Sequence, residues 1–171
     1  MSDIWVISDT HFSHYNMVHK FKIRPFDTVE EMDEVLIENR NKTVKPRDKV
    51  YHLGDVAFGP KGNHAQLLSR LNGRLRLVVG NHDDIKHMSQ FFEKVMLWRM
   101  WPEFKMVFTH VPVHPTTLGE DRFGEGSILN VHGHIHGNPS PEGPYRCVCV
   151  EQINYTPINI EELHGNRKLS D

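Results

Sequence analysis

The chain has 171 residues, 20 basic against 22 acidic side chains, a formal charge of −2 and 38% apolar residues. That composition suits a single domain over residues 1–171 with a sizeable core, and excludes a disordered chain. It gives no strong nucleic-acid signal, and no apolar run approaches membrane-spanning length.

The first apolar run, Ile4-Trp5-Val6-Ile7, reads as a buried strand that stops at Ser8-Asp9. Thr28 followed by Glu31 forms a capping-box pattern. Met32, Val35, Leu36 and Ile37 then make a helical stripe to about Asn41. Pro46-Arg47-Asp48 breaks the chain before a second strand, Lys49 to Leu53, ending at Gly54-Asp55. Ala65, Leu67, Leu68 and Leu71 predict a helix from about Asn63 to Gly73. Leu75 to Val79 is a third strand, running into Gly80-Asn81-His82-Asp83. A short helix near Ile85 to Phe91, a strand from Phe92 to Trp98 and a turn at Trp101-Pro102-Glu103 are expected next. Lys105 to Thr109 is a strand ending at His110, residues 111–126 a loop, and Ser127 to Val131 leads into Gly133-His134-Ile135-His136. Tyr145 to Val150 and Thr156 to Ile160 are closing strands. Strands alternating with helices, then mostly strands, predict an α/β sandwich.

Five polar clusters therefore begin where apolar runs stop, a placement that core packing alone does not produce. They hold three carboxylates (Asp9, Asp55, Asp83), the Asn81 amide and five imidazoles (His11, His82, His110, His134, His136). One metal takes three or four such ligands, so this set is sufficient for two with a shared carboxylate. Asp9 and His11 alternate in what reads as an extended segment, as do His134 and His136, so each pair is expected to grip one ion. Asp55, alone at a strand end, is the natural bridge. Carboxylate and imidazole donors favour two divalent transition metals, manganese foremost, with iron, zinc or nickel also suited. His82, spare in the ligand count beside Asn81, is the candidate acid, and Asp83 is placed to orient its loop or ring. Cys147 and Cys149 are expected to be packed thiols in a reduced, cytoplasmic protein. The amino terminus carries no secretory-leader pattern.

The blocks Asp-x-His, Gly-Asp, Gly-Asn-His-Asp, His and Gly-His-x-His, in this order, resemble the calcineurin-like metallophosphoesterase superfamily, and the likeness covers nearly the whole chain. It is nearest to the small bacterial and phage phosphoesterases that begin Asp-Thr-His-Phe-x-His. The resemblance implies a four-layer α-β-β-α sandwich. It assigns Asp9, His11, Asp55 and His136 to one metal, and Asp55, Asn81, His110 and His134 to the other, with His82 as acid. The activity it implies is hydrolysis of a phosphate ester by a hydroxide bridging the two metals, with Asp55 catalytic through that bridge. Phosphodiesters are the preferred substrates, phosphomonoesters the alternative with the same site, and a non-catalytic protein-interaction scaffold the alternative of another class. Beyond the ligands, His14, Arg24, Arg122 and Asn81 are candidate substrate contacts. The expected assembly is a monomer or small homo-oligomer.

Overall fold

The computed structural model describes residues 2–119 and 126–163. In chain order its strands are β1 (Ile4–Ile7), β2 (Lys49–His52), β3 (Arg74–Val78), β4 (Lys94–Met96), β5 (Trp98–Trp101), β6 (Met106–Thr109), β7 (Leu129–His132), β8 (Tyr145–Cys147) and β9 (Ile158–Asn159). The helices are α1 (Tyr15–His19), α2 (Val29–Thr43), α3 (Lys61–Leu68) and α4 (Ile85–Met88), all connecting strands of the first sheet. That sheet has the order β4-β3-β2-β1-β9, with β1 to β4 parallel; the second has the order β5-β6-β7-β8.

The fold is an α/β sandwich, as expected, with a core on each side of the first sheet. Ile7, Val50, Leu75 and Leu77 pack with the helix residues Met17, Met32, Leu36 and Met88. Val6, Tyr51, Leu53 and Val78 face Trp101, Met106, Phe108 and Val131 of the second sheet. Among the described residues, that sheet's outer face carries irregular chain with one 3-10 turn at Pro115–Thr117. Val113 is fastened there, accepting from the Tyr145 hydroxyl at 2.7 Å and donating to the Asn130 amide oxygen at 2.9 Å.

The parallel register positions the site. Ile7 lies opposite His52 and His52 opposite Leu77, so the residues after β1, β2 and β3 emerge along one edge. In the second sheet Phe108 is opposite Val131, which brings the exits of β6 and β7 together in the same way. Residues 148–150 stitch the two sheets at this edge: Ser8 N–H donates to Val148 O at 2.9 Å, and Val148 N–H to His132 O at 2.8 Å.

Several elements differ from expectation. The run from Phe92 to Trp98 is two strands in different sheets, parallel β4 against β3 and antiparallel β5 against β6, with Leu97 between them. Periodicity cannot register a strand that changes partners. The Tyr145–Val150 run is a strand only to Cys147, and 150–152 is a 3-10 turn. The turn expected at Trp101-Pro102-Glu103 is present, as a 3-10 turn over Pro102–Phe104. Helix α1 was not anticipated, being five residues long with no side-chain cap. Thr28 caps α2 as expected, accepting from Glu31 N at 3.1 Å, but the Glu31 carboxylate reaches back to Asp27 N at 2.8 Å. Among the described residues, no helix is long and apolar enough to cross a membrane.

Candidate metal centre

The turns after β1, β2 and β7 are not extended. Asp9, His11, Asp55, His134 and His136 all have left-handed backbone, with φ between 49° and 71°. The expected grip by alternation is therefore replaced by tight corners that aim successive side chains inward. Such corners cost about 1–3 kcal/mol each for residues other than glycine and persist only where the surroundings enforce them. Asp9 N–H donates to Gly54 O at 3.0 Å and His11 N–H to Asp55 O at 3.1 Å, joining the first two corners. Close approach is needed here: a Cβ on Gly54 (φ +96°) would stand 2.5 Å from Gly80 and 2.6 Å from His110 Nδ1.

Asp83 holds the second corner. Its carboxylate accepts from Asp55 N at 2.9 Å, Val56 N at 3.0 Å and Gly80 N at 2.8 Å, so it orients the loop and not the His82 ring. Behind it, the Thr10 hydroxyl donates to Val56 O at 2.7 Å and so accepts from His52 Nε2–H at 2.9 Å. His52 Nδ1 accepts from Gly54 N at 3.2 Å. Burial holds His52 far below the usual imidazole range, at about 3, with the Arg40 charge adding to the effect.

The inward-facing atoms fit cations. Asp9 Oδ2 accepts from the Ser8 hydroxyl at 2.6 Å and His134 N at 2.8 Å, with the Cys149 thiol at 3.3 Å, while buried Oδ1 has no hydrogen-bond partner. Buried His11 Nε2 also lacks one; it lies 3.7 Å from Asp9 Oδ1 and 3.7 Å from Asp55 Oδ2. Two buried orphans converging on one point fit a shared cation. Burial pushes the Asp9 carboxyl up, but the His11 ring, the His110 field and the Ser8 and His134 hydrogen bonds together hold it well below the usual range. Burial outweighs Asp9 and holds His11 below the usual imidazole range, toward the neutral form that metal ligation requires.

At the other end His110 Nδ1–H donates to Leu53 O at 2.7 Å, which leaves Nε2 bare in the neutral ring. That nitrogen lies 2.8 Å from Asn81 Oδ1, which is also 3.0 Å from His134 Nδ1. With Nδ1–H of His110 spent on Leu53 O, the Nε2 lone pair faces the Asn81 oxygen, an arrangement that a cation relieves. The donor atoms of Asp9, His11 and His136 lie within 4.8 Å of one another, as do those of Asp9, Asp55 and His110. Asp9 thus touches both groups, yet its Oδ2 is already consumed by its donors. Asp55 instead points Oδ2 at His11 and Oδ1 toward His110, 3.6 Å away.

The other candidates divide. His82 is exposed at the His11 end, its ring centroid 6.1 Å from that of His11 and 5.0 Å from Phe58, and its N–H donates to Asp55 Oδ1 at 3.0 Å. Half-buried His14 stacks on Phe58 at 3.9 Å and meets His11 Nδ1 at 3.0 Å; chiefly burial pushes it down to about 4. Arg24 corrects expectation: it is buried and does not face a substrate phosphate. Its guanidinium donates to Asp9 O at 2.6 Å, to Thr10 O at 2.7 Å and to Glu151 Oε1 at 2.8 Å. Glu151, which sequence reasoning missed, also accepts from His136 Nδ1 at 3.1 Å, so its hydrogen bond turns His136 Nε2 toward Asp9. Arg122 lies outside the described residues. Cys147 and Cys149 are buried free thiols.

A calcineurin-like phosphoesterase family model matches residues 2–171. An uncharacterized protein of Methanocaldococcus jannaschii is 38% identical over 94% of this chain and 89% of its own length. The gene 66 protein of mycobacterium phage L5 is 29% identical, over 83% of this chain and 68% of its own. The crystal structure of a protein of unknown function from Aquifex aeolicus superposes with a TM-score of 0.73 at 29% identity, covering 96% of this chain and 98% of that one. The chain belongs to the calcineurin-like phosphoesterase family.

Proposed function

We propose that the chain hydrolyses phosphodiesters at a centre of two divalent transition metals, with manganese the favoured ion and iron, zinc or nickel admissible. The observation that carries this reading is Asp55, whose two oxygens face different groups: unpartnered Asp9 Oδ1 and His11 Nε2 on one side, and His110 Nε2 with Asn81 Oδ1 on the other. Asp9, His11, Asp55 and His136 would hold one ion, and Asp55, Asn81, His110 and His134 the other. Bound there, the ions supply a water of lowered pKa and neutralise charge on the phosphoryl group. The chain's own part is positioning: Asp83 and Arg24 hold the corners, Glu151 orients His136, and the Leu53 carbonyl selects the His110 tautomer. Exposed His82, tied by its backbone to Asp55, would give a proton to the departing oxygen. His14 beside His11, Asn81, and Arg122 outside the described residues remain the substrate contacts of this reading. Four of the seven exposed large apolar side chains of the described residues lie by the site, which weighs against a remote scaffold surface: Leu97, Trp98 and Val111 border Asn81 and His110, and Phe21 meets His14.

The test is turnover of bis-p-nitrophenyl phosphate, p-nitrophenyl phosphate and a dialkyl diester with manganese and with nickel. Diester turnover is expected to exceed monoester turnover at least tenfold, and a monoester preference refutes the diesterase assignment. His82→Ala should lower kcat about 10²-fold on the alkyl diester and far less on the aryl one, because a poor leaving group needs the proton. Equal losses remove His82 from the acid role. Hydrolysis in oxygen-18 water should place the label in the phosphoryl product, and label in the alcohol refutes attack at phosphorus.

A further inference from the structure

Beside the Asn81 and His110 end of the site lies a cleft of about 760 Å³, within the size range of pockets that take small organic ligands. The register of β5 on β6 sets Trp98 opposite Thr109 and Met100 opposite Val107. Side chains alternate across a strand, so these four share the face turned away from the sheet-to-sheet core, whose lining is Trp101, Met106 and Phe108. Val111 and Leu118, from the segment after His110, form the facing wall.

We infer that this cleft seats an apolar, aromatic substituent that a phosphodiester substrate retains on phosphorus. The inference rests on the phosphodiesterase reading and goes beyond it by naming the substrate class. Three observations carry it. The cleft is continuous with the metal centre, since Gly80, Asn81 and His110 form part of its wall. Among the described residues its lining is apolar apart from Asn81, Thr109, Thr117 and His110, and His110 is the only ionisable side chain of that lining. Large apolar side chains stand in water at its mouth: Leu97 is 71% exposed, Trp98 59% and Val111 45%. Covering them with an apolar group is favourable, and an indole held on a strand is a stacking surface that loses little freedom when covered. His82, His14 and Phe58 stand at the His11 end and take no part in the cleft. The group that leaves departs beside His82, so the group in the cleft is the one that stays. A monoester has no such second group.

Calorimetry on the metal-loaded protein with methylphosphonate, octylphosphonate and 1-naphthylphosphonate tests the cleft without turnover. The naphthyl probe should bind at least tenfold more tightly than the methyl probe, about 1.4 kcal/mol, and more tightly than the octyl probe. Trp98→Ala and Met100→Lys should each reduce the naphthyl-to-methyl ratio below threefold, while Ile85→Ala, exposed on α4, keeps it. Equal affinities, a ratio unmoved by Trp98→Ala, or preference for octyl overturns the inference. So does a concentration-dependent dimer abolished by Trp98→Ala, which makes a second copy of the chain the occupant. Turnover of methyl p-nitrophenyl phosphate separates the two readings. Its absence with the tenfold preference intact removes the hydrolase and supports the cleft; its presence with equal affinities removes the cleft alone.

Discussion

Removing the Glu151 charge should damage both the fold and the metal centre, by amounts the geometry allows to be estimated. Arg24 has no exposed side-chain surface and Glu151 is 9% exposed, with Oε1 2.8 Å from both Nε and NH2 of the guanidinium. Breaking a buried pair from one side strands the other charge and costs about 3–5 kcal/mol. Glu151→Gln keeps a neutral acceptor, so about 3 kcal/mol is expected. Arg24→Met strands the Glu151 carboxylate and loses the bonds to Asp9 O and Thr10 O, each worth about 1 kcal/mol, so about 5 kcal/mol is expected. The double variant leaves no unpaired charge and should cost at least about 2 kcal/mol less than the sum of the singles. Urea unfolding in a chelator measures all three without metal. Manganese titration of Glu151→Gln should then show affinity about 10- to 100-fold weaker, because the acceptor that orients the His136 ring loses its charge. A Glu151→Gln variant within 0.5 kcal/mol of wild type, or strictly additive single variants, would refute the buried clamp; unchanged manganese affinity would refute its link to His136.

Two further outcomes follow from the same geometry. Wild-type protein purified without chelator should carry about two transition metals per chain; Asp55→Asn should lose most of that metal and His14→Ala little of it. Elemental analysis decides, and a stable single metal in wild type would demote Asp55 as a bridge. His52, held at about 3 in the fold, takes up its proton first when unfolded. Its contribution is therefore complete above the ordinary imidazole range and lost as pH falls from about 6.5 toward 3, which amounts to about 2 kcal/mol by pH 5. Asp33, raised to about 6 mainly by burial, slopes the opposite way, so the quantity to compare is the acid loss of wild type against His52→Gln. Equal losses between pH 7.5 and pH 5 would refute the His52 contribution.

The sequence disclosed the site better than the fold's connections. Asp9, Asp55, Asn81, His110 and His134 were legible because each follows an apolar run, and a parallel register carries such exits to one edge. The residues that hold them were not. Arg24 sits in Ile23-Arg24-Pro25-Phe26, where nothing signals burial, and its partner Glu151 is 127 positions away. A charge whose counter-charge lies so far along the chain reads as solvated. Glu151 itself was hidden in a run of strand-like residues, because the 3-10 turn at Val150–Gln152 exists only where residues 148–150 bridge the two sheets. The left-handed corners escaped notice for another reason: Asp-Thr-His and His-Ile-His carry no glycine at the positions that turn.

Those corners also restrict what the centre can become. At Asp9, His11, Asp55, His134 and His136 a replacement must suit the backbone before its donor atom matters. Asparagine, aspartate and histidine enter the left-handed region several-fold more readily than other side chains, and β-branched residues are the worst suited. A library that randomises these five positions should therefore return folded proteins with Asn, Asp, His or Gly and few with Val, Ile or Thr, whatever metal is used for selection. Inheritance of the centre is constrained twice over, by coordination chemistry and by main-chain handedness, and drift away from one ligand type should pass through asparagine.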